Sequence, residues 1–157
     1  DPSRRRVLIA GATHVAAVTI PSLRSRSHRI GDRSAGRTAE LVGGRGLAVA
    51  GRRGLRVLDL RTWRTRWRDR AATGVLASGA VVVAIGGGVR GRDARDGTLR
   101  WRARGSGDAR FSAVAAGRVY LAGPRALRIL DVTTGRDVAA LPPTLTAIRL
   151  LDDVTGA

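Results

Sequence analysis

Arginine is the residue whose density first suggests chemistry. Arg61, Arg64, Arg66, Arg68 and Arg70 fall on nearly alternate positions, a spacing that on a β-strand would set most of the guanidinium groups along one face. Such a row could contact a polyanion: nucleic acid, anionic lipid or cell-wall phosphate. Arg4-Arg5-Arg6 is a second cluster. The competing reading is a solvated strand face whose charges protect an edge, and arginines elsewhere alternate with aliphatic residues in the same way, as in Leu55-Arg56-Val57 and Leu127-Arg128-Ile129. The groups that could do acid–base or nucleophilic work are sparse. His14 and His28 have no carboxylate near them in sequence. Asp93-x-x-Asp96-Gly97 begins like a calcium loop but lacks the further ligands one needs, and Asp152-Asp153 reads as a loop pair. Gly86-Gly87-Gly88 is not followed by the Lys-Ser/Thr of a phosphate loop. Ser106, between Gly105 and Gly107, has neither the helix nor the histidine of a nucleophile elbow. No catalytic constellation, cofactor site or metal site is assigned, and the chain is not expected to be an enzyme.

Composition narrows the classes further. The formal charge is +17, from 29 basic and 12 acidic residues, and every basic one of the 29 is arginine. That usage suggests a GC-rich coding sequence of actinobacterial type. With 43% apolar residues and regular short apolar runs, the chain is a folded domain with its own core rather than a basic tail. Zero cysteine excludes disulfides and thiolate chemistry. No run approaches the ~20 apolar residues of a membrane-crossing helix. The chain opens on Asp1-Pro2 and has no Met, so it reads as a processed or excised piece.

What must position these residues is a repeat. Asp59, Asp93 and Asp131 stand 34 and 38 residues apart. Thr62, Asp96 and Thr134 follow at the third place; Gly97 and Gly135 follow at the fourth, where the earliest copy has Trp63. Trp67 and Trp101 follow at the eighth, where the last copy has Ala139. A worn copy at the start puts Thr19 in the aspartate position. Asp, Thr and Gly at these offsets make a tight turn, the carboxylate accepting backbone N–H bonds and glycine taking positive φ. The flanking runs, such as Leu47–Ala50, Val81–Ile85 and Val119–Ala122, read as short strands and are expected innermost in their sheets. Glycine every few residues opposes helix. A period near 40 residues with four strands per unit predicts an all-β fold, a β-propeller of about four blades of four-stranded antiparallel sheet. The blades would be 5–37, 38–72, 73–108 and 109–143 of one domain. Residues 144–157 would be an extra strand. It could close the first blade into a small ring, or the chain could be a segment of a larger propeller with open sheet edges prone to self-association.

The phrase Asp-x-x-Thr-Gly-x-x-x-Trp resembles the repeat of the pyrroloquinoline-quinone-like (PQQ-like) β-propeller family. Asp59, Thr62 and Trp67 carry the resemblance in one copy, Asp93, Gly97 and Trp101 in the next, and Asp131, Thr134 and Gly135 in the last. It implies that Trp67 and Trp101 dock against the neighbouring blade; Trp63, standing where the turn expects glycine, is expected to be more exposed than they are. It also implies work outside the cytoplasm, as in envelope assembly lipoproteins and external sensor parts of kinases. Enzymes of that family hold a quinone with calcium using acidic, Asn and Trp residues and often paired cysteines. This chain has no Asn, Gln or Cys, so no cofactor residue carries over. Three functions stand open: a non-catalytic scaffold or sensor domain with a protein partner, an arginine-rich polyanion binder, and a fragment of a quinoprotein dehydrogenase.

Overall fold

The computed structural model describes residues 5–10, 14–20, 24–29, 38–104 and 111–142. Side chains are described within 38–104 and 112–142. The described residues form fifteen strands and no helix. A three-stranded sheet, β1(Arg5–Ala10), β2(His14–Ile20) and β3(Arg24–Arg29), is followed by three four-stranded ones. The second sheet is β4(Thr38–Val42), β5(Gly46–Gly51), β6(Gly54–Asp59) and β7(Thr65–Asp69). The third is β8(Gly74–Ser78), β9(Val81–Ile85), β10(Val89–Asp93) and β11(Leu99–Ala103). The fourth is β12(Phe111–Ala115), β13(Arg118–Ala122), β14(Leu127–Asp131) and β15(Asp137–Leu141). Strands in every sheet lie in chain order and pair antiparallel, as short apolar runs joined by tight turns require.

The second to fourth sheets are propeller blades stacked side by side. Their first strands meet, β8 packing against both β4 and β12. This corrects one expectation: Leu47–Ala50, Val81–Ile85 and Val119–Ala122 are second strands, one step out from β4, β8 and β12. The seconds are more apolar because they are covered on both faces; β5 and β9 are buried along almost their whole length, and such strands lose polar/apolar alternation. The first sheet begins, as the opening copy does, at the strand equivalent to β5, and Thr19 lies near the end of β2 as Asp59 ends β6. The proposed closing strand, 144–157, lies outside the described residues.

The core is divided by blade junction. Between the second and third sheets lie Val42, Ala48, Ala50, Leu55 and Val57 against Ala72, Val75, Val82, Ala84 and Ala94. Between the third and fourth lie Val81, Val83, Val89, Trp101 and Ala103 against Val119, Leu121, Leu130 and Val132. A smaller cluster of Leu47, Val49, Leu58 and Leu60, with Trp63 packed on it, covers the other face of the second sheet.

Candidate functional site: the blade junctions and the two loop ends

Each signature aspartate organises a turn between the third and fourth strands of its sheet. Asp59 Oδ1 accepts the N–H of Arg61 at 2.9 Å and of Thr62 at 2.9 Å. Asp131 Oδ1 does the same for Thr133 at 3.1 Å and Thr134 at 2.9 Å. Asp93 Oδ1 holds Arg95 N–H at 2.8 Å, and Asp96 replaces the threonine by accepting Thr98 N–H at 2.9 Å. The second carboxylate oxygen takes an arginine: Arg66 at 2.6 Å on Asp59, Arg100 at 2.5 Å on Asp93, Arg118 at 2.6 Å on Asp131. All these aspartates stay below the usual carboxylate range: Asp59 and Asp93 chiefly through the arginine hydrogen bond, Asp131 through Thr134 and Asp96 through Thr98.

The arginine reaches the turn because of a bulge. Pairing between the third and fourth strands slips between Val57 and Leu58, Gly91 and Arg92, and Ile129 and Leu130. The unpaired extra residue is Arg66, Arg100 or Val138, seven places after its aspartate; a bulge re-aims a side chain in this way. Where valine takes that place, Arg118, the cross-strand partner of Asp131, supplies the cation from the other side. Spacing alone could have revealed the Asp59/Arg66 and Asp93/Arg100 recurrence; the Arg118 substitution needed the register.

The tryptophans join blades. Trp101 Nε1 donates to Val132 O at 2.8 Å, and Trp67 Nε1 donates to Ala94 O at 3.3 Å. Both acceptors follow the signature aspartate of the next sheet. The ring then lies on that turn's glycine: a Cβ on Gly135 would sit 2.5 Å from Trp101 Cδ2, and one on Gly97 2.6 Å from Trp67 Cδ2. Gly97 and Gly135 also have φ of +80° and +67°, so glycine is required both by backbone and by ring. The two locks differ inside their own sheets. Trp101 pairs with Gly91, where a Cβ would meet the ring at 2.1 Å, and it is buried. Trp67 pairs with Val57, whose side chain occupies that space, and it is only partly buried, short of the burial expected for it.

Trp63 is also not the exposed residue expected from its turn position. It is partly buried against Leu47, Val49, Leu58 and Leu60 at φ +59°. Residue 27, where an incoming tryptophan of the first sheet would stand, is Ser27. No incoming ring therefore demands glycine at 63, and Trp63 covers its own sheet's face.

A second contact crosses the same junction. Asp69, at the end of β7, is buried and pairs with Arg92 Nε at 2.8 Å and Arg90 Nε at 3.3 Å from β10. Burial pushes its carboxyl up, but the Arg92 hydrogen bond, the Ala71 N–H and both guanidinium charges outweigh it and leave the carboxyl below its ordinary value. Arg90 is 5% exposed and also donates to Gly87 O at 3.3 Å. At the next junction Ala103 and Leu130 stand where Asp69 and Arg92 do here, and both belong to the apolar cluster. Nothing in the sequence pattern signalled Asp69.

The arginine run does not form one patch. Arg61 and Arg64 lie on the Asp59 turn, Arg66 is held by Asp59, Arg68 is exposed on β7, and Arg70 is exposed at the opposite end of the sheet. The turn, the bulge and the strand break the alternation that a single face needs.

These residues do not fit a quinone and its calcium. The described aspartates are each committed: Asp59, Asp93, Asp96 and Asp131 to turns, Asp69 to Arg90 and Arg92, and Asp137 to Arg128 at 2.9 Å. Glu40, on β4, has its pKa raised by burial, which opposes the anionic form a cation site uses. Among the described residues no three His, Cys, Asp or Glu group together as metal ligands would.

No family model matches the chain, and no curated protein matches it. Solved structures do. BamB from Moraxella catarrhalis superposes with a TM-score of 0.62 at 19% identity over 88% of this chain and 46% of that one. A europium-containing methanol dehydrogenase gives 0.60 at 13% over 89% and 40%, and the Pan2 WD40 domain of Neurospora crassa 0.58 at 11% over 88% and 51%. The chain thus spans about half the length of these structures. They are β-propellers, and at such identities the likeness shows the fold: consecutive blades of a propeller.

Proposed function

We propose that this chain is a non-catalytic propeller segment of the PQQ-like repeat type, serving as a protein-interaction scaffold or sensor domain outside the cytoplasm. The observation that carries this reading is the commitment of the described aspartates to turns and inter-blade pairs. Charged groups that could serve a reaction instead fix the turns of each sheet and, at Asp69, join two blades, leaving the loop ends as the surfaces on offer. The repeat phrase and the likeness to BamB support the same reading.

Affinity capture with the chain as bait, followed by cross-linking to identify a direct contact, tests it. A stoichiometric protein partner is expected. Capture of nothing beyond nonspecific binders, or turnover of an alcohol on adding quinone and calcium, would overturn it; the second outcome would favour the dehydrogenase reading, for which the likeness to methanol dehydrogenase speaks. Cell fractionation tests the extracytoplasmic placement, and recovery in the cytoplasm would contradict it.

A further inference from the structure

We propose that the outer strand of the fourth sheet, β15, pairs edge to edge with β15 of a second copy of this chain, joining two sheets into one across a twofold axis. This goes beyond the scaffold reading and does not depend on it.

β7, β11 and β15 are each the last strand of their sheet, while β4, β8 and β12 at the other edge meet one another. A last strand leaves one row of backbone N–H and C=O groups outside the ladder, and charged side chains are a common guard against pairing with another chain. β7 and β11 carry that guard at two matching places, the seventh and ninth after the signature aspartate: Arg66 and Arg68, then Arg100 and Arg102. β15 has Val138 and Ala140 there instead. The bulge is common to all three sheets, so it is the side chains that set β15 apart. Where arginine fills the bulge it turns back onto its aspartate. Val138 has no such reach and stands 53% exposed. Of the five residues of β15 only Ala139 is not exposed, and Val138 and Leu141 are two of the four large hydrophobic side chains exposed among the described residues.

Complementarity selects a second copy. Residues 138–141 are all apolar, so the strand matches itself when turned antiparallel, and antiparallel is the pairing throughout the fourth sheet. The strand's one charge is already satisfied: Asp137 holds Arg128, on the adjoining β14, at 3.0 and 2.9 Å through both carboxylate oxygens. A charged segment would find no counter-charge on β15, whereas an identical strand needs none. Twofold pairing uses up this edge, and the arginines of β7 and β11 guard theirs, so association stops at a dimer.

Sedimentation equilibrium of the whole chain over about a hundredfold range of concentration tests the proposal. The chain should pass from monomer to dimer and grow no further. Val138→Arg/Ala140→Arg gives β15 the two arginines of β7 and β11, a pattern the other sheets already fold with. It should raise the dissociation constant about tenfold or more. Ala71→Arg/Ala80→Arg adds the same charge at exposed positions elsewhere and should change it by less than about twofold. Two copies of formal charge +17 repel, so the dimer should tighten as salt is added. Amide exchange of residues 138–141 should slow as concentration rises, a readout that needs no variant. A chain monomeric throughout would overturn the proposal, as would growth beyond a dimer, equal effects of the two variants, or exchange independent of concentration. So would a dimer that loosens with salt, because ion pairs would then be holding it.

Discussion

Between the third and fourth sheets, Trp101 lies flat over Gly91, bonds Val132 O at 2.8 Å and seals an apolar junction with Ala103 and Leu130 behind it. Between the second and third, Trp67 is kept off its own sheet by Val57, bonds Ala94 O at 3.3 Å, and has the Asp69, Arg90 and Arg92 ions behind it. The tryptophan and the turn glycine it rests on are the same at both. The difference teaches that the tryptophan and glycine make the lock, while residues outside the repeat positions decide whether an apolar cluster or an ion pair lies behind it. Burial of Asp69 with Arg90, and of part of Arg92, is a poor source of net stability, yet it constrains which blade can sit beside which.

The largest effect should follow removal of Trp101. Trp101→Ala should cost about 3–5 kcal/mol, as for other buried large-to-small changes. Trp67→Ala should cost less, because its ring is partly solvated; both are read from denaturant unfolding. Equal losses would show that the two locks are equivalent after all.

Asp69→Asn comes next, expected to cost about 3 kcal/mol by leaving two guanidinium groups facing a neutral amide. The folded carboxyl titrates below its unfolded value, so its contribution is present above roughly pH 4 and fades as pH falls through the folded value. The stability gap between wild type and Asp69→Asn should therefore close in acid. A gap that is constant with pH would mean the charge of Asp69 is irrelevant.

Trp63→Ala should be the mildest of the tryptophan changes. It removes only a partly buried ring's contacts with Leu47, Val49, Leu58 and Leu60, and the positive-φ strain stays in both proteins because alanine keeps the Cβ. A loss matching that of Trp101→Ala would show that Trp63 joins blades rather than covering one.

The fold was legible because its signals are local and repeated. Asp-turn chemistry, glycine at positive φ and short Val/Leu/Ala runs each act within a few residues, so Asp59, Asp93 and Asp131 set the register before any contact was known. The junctions were less legible. Trp67 and Trp101 stand at the same repeat position, and what separates them is a cross-strand partner, Val57 or Gly91, visible only once pairing is fixed. Asp69 meets Arg90 and Arg92 across two sheets. The arginine run misled for the converse reason: alternation in sequence was interrupted by a turn and a bulge that redistribute Arg61, Arg64, Arg66 and Arg70 among different surroundings.

The claim at the centre of this account is that one blade's tryptophan ring rests on the next blade's turn glycine. A double-mutant cycle of Trp101→Ala with Gly135→Ala tests it most directly, read as unfolding free energy. The backbone strain of alanine at φ +67° is present in both backgrounds and cancels, leaving the clash with the ring. Gly135→Ala should be markedly less harmful once Trp101 is alanine, with a coupling of about 1–3 kcal/mol. Strict additivity of the two substitutions would contradict the account.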